Sequence, residues 1–300
     1  MNPICFYHNR DLDGVCSAAI VKNFVPECEL YGIDYGDEFP WDRADTGKRT
    51  VYMVDFSLPA EDMKRLAEVS DLIWIDHHKT AIDGAIACGT IEFSGGIWIT
   101  DYAACELCWQ WFMSVQKKLS FEMPEAVTLL GVYDSWRSDD PDWDSEVMPF
   151  QYGMRFQDWA YDPLSCYWTC LFSHAGESSA IVHRTIAMGL VCLGYQQQQN
   201  EKIAKSGAFD VSLWAGDARW HAIAINTPIA NSSAFDSVWD PELYDVMMPF
   251  AYQNNGKWRV SLYTTRDDIN CGEIAKAFGG GGHAKAAGFV CDELPWRERE

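Results

Sequence analysis

No stretch of this chain approaches the roughly 20 consecutive apolar residues that a bilayer span requires. Positive charge is scarce too: 23 Lys and Arg stand against 44 Asp and Glu, a formal net charge of −21. The first shortage argues against a membrane partner. The second argues against a long nucleic-acid duplex, whose affinity comes largely from phosphates neutralised along a basic stripe. Here the basic residues are scattered, apart from short groups such as Lys276 to Lys285 and Arg297 to Glu300. The opening Met1-Asn2-Pro3-Ile4 has no basic segment leading into an apolar one, so no secretory leader is expected. A second CxxC is also missing. Cys105 and Cys108 form a single pair inside a helical pattern, Tyr102 to Phe112, which is weak ground for zinc or redox chemistry. Cysteines inside apolar segments, such as Cys5 and Cys192, read as small hydrophobes in a reduced compartment. The expectation is a cytoplasmic protein.

What the chain does have is core. Its 300 residues are 48% hydrophobic and 14% aromatic, enough to pack one large domain or two ordinary ones. In the first half, strand patterns at Ile4–Tyr7, Val51–Val54 and Leu72–Ile75 alternate with helical patterns at about 15–24, 60–69, 101–115 and 124–133. Such alternation implies parallel strands joined by crossover helices. Residues 138–144 are acidic and turn-rich and read as a loop. A long helical pattern runs from Glu177 to Lys205. After Gly207 the texture shifts to strand-like segments at Trp220–Ile225, Val246–Phe250 and Trp258–Tyr263, then a helix over Gly272–Phe278. The expected fold is α/β, in two domains: a larger N-terminal parallel-sheet domain (1–180), a linker helix (181–206) and a smaller C-terminal domain with a mixed sheet (207–300).

The chemistry gathers where the first strands stop. Ile4-Cys5-Phe6-Tyr7 runs into His8, Asp11, Asp13 and Gly14. Val51-Tyr52-Met53-Val54 runs into Asp55. Leu72-Ile73-Trp74-Ile75 runs into Asp76-His77-His78. In an open parallel sheet the carboxyl ends of the strands border one crevice, where ligands bind. Three strands ending in Asp and His therefore aim hard oxygen and nitrogen donors at a common point, and Asp134, after the apolar run Val127–Tyr133, adds another carboxylate. Carboxylates mixed with imidazoles suit Mn²⁺ or a similar divalent ion. Four or more acids at one point repel strongly unless about two divalent cations neutralise them. Such a pair can activate a water and stabilise a leaving oxygen in phosphoester hydrolysis. Lone histidines on apolar segments, His174, His183 and His221, read as structural.

His8…Asp11-Leu12-Asp13-Gly14, Asp55, Asp76-His77-His78 and Asp134 resemble the four motifs of the DHH phosphoesterase superfamily. The segment Gly279-Gly280-Gly281-Gly282-His283-Ala284-Lys285-Ala286-Ala287-Gly288-Phe289 resembles the signature of the small domain associated with it. The resemblance implies a dinuclear manganese site (Mg²⁺ or Co²⁺ as substitutes), with His8 and Asp11 on one ion, Asp13, His77 and Asp134 on the other, and Asp55 bridging. It also implies that His78 faces the scissile phosphate and that Asp76 orients a ligand. The glycine run allows backbone N–H groups close to a phosphate, so Gly280, Gly281, Gly282 and His283, with Arg266 as a clamp, are the expected substrate-binding set. The implied partner is a short nucleic acid or nucleotide substrate: short oligonucleotides, linear or cyclic dinucleotides, or adenosine bisphosphate. Two alternatives stay open, a single-strand-specific exonuclease and a non-catalytic nucleotide-binding protein of the same fold. A homodimer is compatible with the sequence.

Overall fold

Side chains along the first strands point alternately to two apolar layers, as parallel strands covered on both faces require. Ile4, Phe6, Val51, Met53, Leu72 and Trp74 enter one core; Cys5, Tyr7, Tyr52, Val54 and Ile75 enter the other. The computed structural model describes residues 2–44, 47–89, 94–115, 122–173, 176–215, 217–228 and 231–298. These separate into two units, Met1–Leu193 and Gly194–Glu300. The two α/β domains expected from the sequence are present, a parallel sheet with helices and a separate mixed sheet.

In the first unit the chain runs β1 (Ile4–His8), α1 (Leu12–Phe24), β2 (Glu29–Ile33), α2 (Trp41–Ala44), β3 (Thr50–Val54), α3 (Ala60–Val69), β4 (Asp71–Asp76), α4 (Lys79–Cys88), β5 (Gly95–Trp98), α5 (Ala104–Val115) and α6 (Glu125–Asp134). A π-helix (Trp143–Val147), α7 (Met148–Arg155), a 3₁₀ turn (Asp158–Tyr161) and α8 (Cys166–Leu171) follow, then the long α9 (Gly176–Gly207), within which the division falls. The strands are all parallel, in the order β2-β1-β3-β4-β5. Residues of α1, α5 and α6 pack into the Cys5 core, and residues of α3 and α4 into the Phe6 core. This order reverses direction at β1: the chain moves to β2 on one side and β3 on the other. The carboxyl ends of β1 and β3 therefore flank the crevice of a doubly wound sheet.

The helices at this edge differ from expectation in their starts. α1 begins at Leu12 rather than near Val15, because Asp11 serves as N-cap, its Oδ1 accepting from Gly14 N at 3.0 Å. Asp13 and Gly14 thus lie in the first helical turn, not in a loop. α5 begins at Ala104 rather than Asp101. The acidic segment 138–144 is partly helical, since the π-helix opens at Trp143.

In the second unit, β6 (Ala208–Ala215), β7 (Ala218–Asn226), a 3₁₀ turn (Ser232–Phe235), β8 (Val246–Tyr252), β9 (Trp258–Tyr263), α10 (Cys271–Ala277), β10 (Gly281–Gly282), β11 (Ala286–Cys291) and β12 (Trp296–Glu298) build a sheet in the order β10-β11-β9-β8-β7-β6-β12. Only β7 and β8 pair in parallel among the described residues. Ala222, Ala224, Val246 and Met248 pack with Ile274 of α10, while Ile223, Ile225 and Met247 pack with Phe235 on the opposite face. Among the described residues no helix is long and apolar enough to cross a membrane.

Candidate metal centre

At the crevice, single donor atoms of His8, Asp11 and Asp55 lie within 4.8 Å of one another, and so do those of Asp13, His77 and Asp134. The two groups join at Asp55. His8 Nδ1 stands 2.7 Å from Asp11 Oδ2 and 3.7 Å from Asp55 Oδ2. His77 Nε2 stands 3.4 Å from Asp55 Oδ1, 3.4 Å from Asp134 Oδ2 and 3.6 Å from Asp13 Oδ2. A further group, Asp55, Asp76, His77 and His78, meets the same limit. The structure thus brings together all eight N-terminal residues singled out from the sequence.

Local structure aims each of them. His8 ends β1, and α1 turns back so tightly that a Cβ at Gly14 would sit 2.0 Å from the carbonyl oxygen of His8. That close approach admits only glycine. Asp55 follows β3 in the left-handed backbone region (φ 51°), uncommon for a residue with a Cβ though least so for Asp and Asn. Its N–H is anchored to Ile75 O at 3.0 Å. Asp13 is buried, and its two oxygens accept from Ala104 N (2.9 Å) and Cys105 N (2.7 Å), the opening N–H groups of α5. An anion at a helix N-terminus is doubly favoured, by hydrogen bonds and by the helix dipole. Asp76 is fully buried: Oδ1 accepts from His77 N (2.7 Å) and His78 N (3.2 Å) and lies 2.7 Å from His78 Nδ1. Its Oδ2 is buried without a hydrogen-bond partner.

The protonation balance is that of a site built for added positive charge. Burial, and then the charge of Asp55, push Asp13 up to about 8. Burial, and then Asp13, push Asp134 up to about 7. Burial also drives Asp55 well above the carboxylate range. The imidazoles respond in the opposite sense: hydrogen bonds to Asp11 and Asp55 raise His8 to about 10, and the hydrogen bond to Asp76 raises His78 to about 9. Asp11 is partly exposed, and the hydrogen bond with His8 holds its carboxyl below its usual value against the opposing effect of desolvation. Like charges 4 Å apart repel by about 4 kcal/mol at an effective dielectric of 20. The mixed carboxylate–imidazole donors, the mutually raised acids and the unsatisfied Asp76 oxygen fit divalent cations.

Two neighbours went unread in the sequence. Asp34 follows β2, and its Oδ1 lies 3.4 Å from His8 Nε2 while Oδ2 pairs with Arg10 Nε at 2.8 Å. The only signal for it was a fourth strand ending in Asp, behind a strand too polar to stand out. Glu106, buried in α5, accepts from Arg137 Nη2 at 2.6 Å and from Ala103 N at 3.1 Å.

The C-terminal candidates occupy the second unit. Arg266 is engaged by acids: Nε and Nη2 donate to Asp268 (3.0 and 2.6 Å) and Nη1 to Asp245 (3.0 Å), so a phosphate has to displace a carboxylate. Gly279 N and Gly280 N donate to Lys276 O and Ala275 O, closing α10, while Gly281 and Gly282 form β10. His283 is exposed, with its N–H donating to Ala286 O. His183 is exposed with Nδ1 2.8 Å from Ser179 O, His221 donates its N–H to Asp245, and His174 lies outside the described residues.

Residues 238–299 match the DHHA1 domain. The whole fold is similar to that of a pGpG-specific phosphodiesterase from Vibrio cholerae (TM-score 0.53, 13% identity, covering 97% of this chain and 93% of that one). It is similar as well to the DHH domain of a member of the s1p family of ribosomal proteins (TM-score 0.55, 12% identity, covering 97% and 82%). The C-terminal segment thus carries the DHHA1 signature, and the fold is shared with DHH-domain structures. No curated protein matches the chain in sequence. The Asp-His-His sequence, Asp76 to His78, stands where β4 ends at the parallel-sheet crevice.

Proposed function

We propose that the protein is a divalent-metal-dependent phosphoesterase acting on short oligonucleotides, dinucleotides or small nucleotide phosphoesters, with a pair of manganese ions. The observation that carries this reading is the junction at Asp55 of two donor groups, one with His8 and Asp11, the other tied through His77 to Asp13 and Asp134. His8 and Asp11 would hold one ion, Asp13, His77 and Asp134 the other, with Asp55 shared. When bound, two divalent cations supply Lewis acidity and a water acidic enough to ionise near neutral pH.

The rest is the work of the chain. His78 is tied through Nδ1 to Asp76, and that hydrogen bond raises its pKa to about 9 in the metal-free site, which favours an imidazolium with N–H groups on both nitrogens. Nε2–H can therefore donate to a phosphate oxygen and stabilise charge that develops there. Asp76 fixes the orientation of the ring and raises its basicity. Beside His78 lies a cavity of about 460 Å³, lined also by Tyr35, Ser57, Pro59 and Thr80, a size suited to a small ligand. The chain's acidity favours short substrates over long strands, and the similarity in fold to a pGpG-specific phosphodiesterase makes a linear dinucleotide the first substrate to try.

The test is a Mn²⁺ panel of linear dinucleotides, cyclic dinucleotides, adenosine bisphosphate and a twenty-residue oligonucleotide. Mononucleotide release from the short substrates is expected, abolished in Asp13→Ala, Asp55→Ala and His77→Ala. Full activity in the Asp55 variant would overturn the reading.

A further inference from the structure

Helices α6 and α10 end in the same hydrogen-bonded geometry but with opposite residues at its tightest point. After α10, Gly279 N donates to Lys276 O and Gly280 N to Ala275 O, and Gly279 takes φ 79°. After α6, Trp136 N donates to Tyr133 O and Arg137 N to Val132 O, and Trp136 takes φ 52°. This paired closure places one residue in the left-handed region, and glycine is its usual occupant because a Cβ is disfavoured there. The chain puts its largest side chain at that point and leaves 65% of it exposed. Burial therefore does not explain the choice, and a strained, exposed aromatic residue calls for a use.

Three observations say what the use is. First, Trp136 stands two residues after Asp134, whose Oδ2 is 3.4 Å from His77 Nε2, so its Cα is within about 7.6 Å of that of Asp134. Second, its ring is propped from beneath. Trp143, presented by the π-helix, meets it edge-on at 5.2 Å, and Trp143 stacks parallel to Tyr133 at 5.9 Å. π-Helical turns are frequent at functional sites. Third, in a chain poor in basic residues, Arg155 borders this cluster, 5.1 Å from the Tyr133 ring, while Arg137, next in the chain after Trp136, is paired with Glu106. A flat apolar face with an arginine beside it, next to the candidate metal crevice, matches a nucleotide: a π-surface joined to phosphates.

We propose that Trp136 is the platform on which a base of the substrate stacks, one nucleoside away from the phosphate that the metal centre receives. This deepens the proposed phosphoesterase reading and rests on it. Stacking accepts any base, since each has a π-face, so the platform selects nucleotides over other phosphoesters without selecting among bases. Tyr133 and Trp143 are positioning residues that hold the ring.

The experiment compares wild type, Trp136→Phe and Trp136→Gly with Mn²⁺ on a 5′-phosphorylated linear dinucleotide and on its abasic analogue. Binding of a phosphorothioate-linked dinucleotide is measured alongside by calorimetry. Trp136→Gly relieves the backbone, so its melting temperature is expected to equal or exceed that of wild type, which separates a binding defect from misfolding. Its KM and Kd for the dinucleotide are expected to rise about 5- to 150-fold, the range of one base stacked on one aromatic ring. Trp136→Phe should recover part of the loss, and the defect on the abasic analogue should be at least fivefold smaller. Values within twofold of wild type on the dinucleotide, or an equal loss on the abasic analogue, overturn the platform. A wild type that binds the dinucleotide without cleaving it overturns the phosphoesterase reading instead, and Kd alone then decides the platform. A wild type that does not bind overturns both.

Discussion

Arg137 Nη2 donates to Glu106 Oε2 at 2.6 Å, fastening the turn after Asp134 to the helix whose first N–H groups hold Asp13. The arginine comes from the end of α6 and the glutamate from α5, so one ion pair sets the separation of two candidate ligands. Glu106 is buried and burial raises its carboxyl pKa, which the arginine opposes. Arg137→Met leaves that carboxylate without its partner, and breaking a buried pair on one side typically costs about 3–5 kcal/mol, reduced here because Arg137 is partly exposed. The expected result is a urea midpoint lowered by at least about 1 kcal/mol equivalent, together with weaker Mn²⁺ binding; an unchanged midpoint would show the pair to be incidental.

Gly131 packs against the same glutamate: a Cβ there would fall 2.3 Å from Glu106 Cδ. Gly131→Ala is therefore expected to destabilise by about 1–3 kcal/mol as an overpacked contact. The double variant Gly131→Ala/Glu106→Ala is expected to recover part of that loss. Denaturation curves of the two singles and the double measure the coupling.

Metal-free protein is expected to lose stability as pH rises. Asp13 and Asp134 titrate near 8 and 7 when folded, against about 3.9 unfolded, and His8 and His78 near 10 and 9, against about 6.5. In all four groups folding raises the pKa. Their contribution is thus fully present below the unfolded value and is lost as pH climbs through the folded one. With chelator, the melting temperature should fall between pH 6 and pH 10. Added Mn²⁺ should raise it more at pH 8 than at pH 6, because ligands must lose protons to bind. A melting temperature that rises with pH under chelator contradicts the clustered geometry.

The stoichiometry follows from the two donor groups that share Asp55. Equilibrium dialysis with Mn²⁺ is expected to give about two ions per chain in wild type. In Asp11→Ala, which alters only one group, one ion is expected to remain. Loss of both in that variant would mean that the groups act as a single site.

Legibility followed the size of the apolar signal. β1, β3 and β4 are continuous apolar runs, Ile4 to Tyr7, Val51 to Val54 and Leu72 to Ile75, and the His and Asp residues that end or follow them could be read directly from the sequence. β2 and β5 lie at the sheet's edges, carry Gly32 and Gly95-Gly96, and are mostly half-buried, so neither formed a recognisable run. Asp34 was lost with β2. Helix α4 was hidden because its buried stripe is only Ile82 and Ala85. The start of α5 depends on a carboxylate 91 residues away in sequence, Asp13, and no local pattern reports such a bond. The Trp136 backbone was equally out of reach, since a left-handed residue is ordinarily announced by glycine.

Held at both oxygens by α5, Asp13 has almost no torsional freedom left to surrender when a cation arrives. Its ordering is completed during folding, so affinity at that corner tracks the rigidity of a helix that supplies no ligand of its own. A substitution deep in α5 can weaken the cation site from a distance, and a ligand survey alone would miss it.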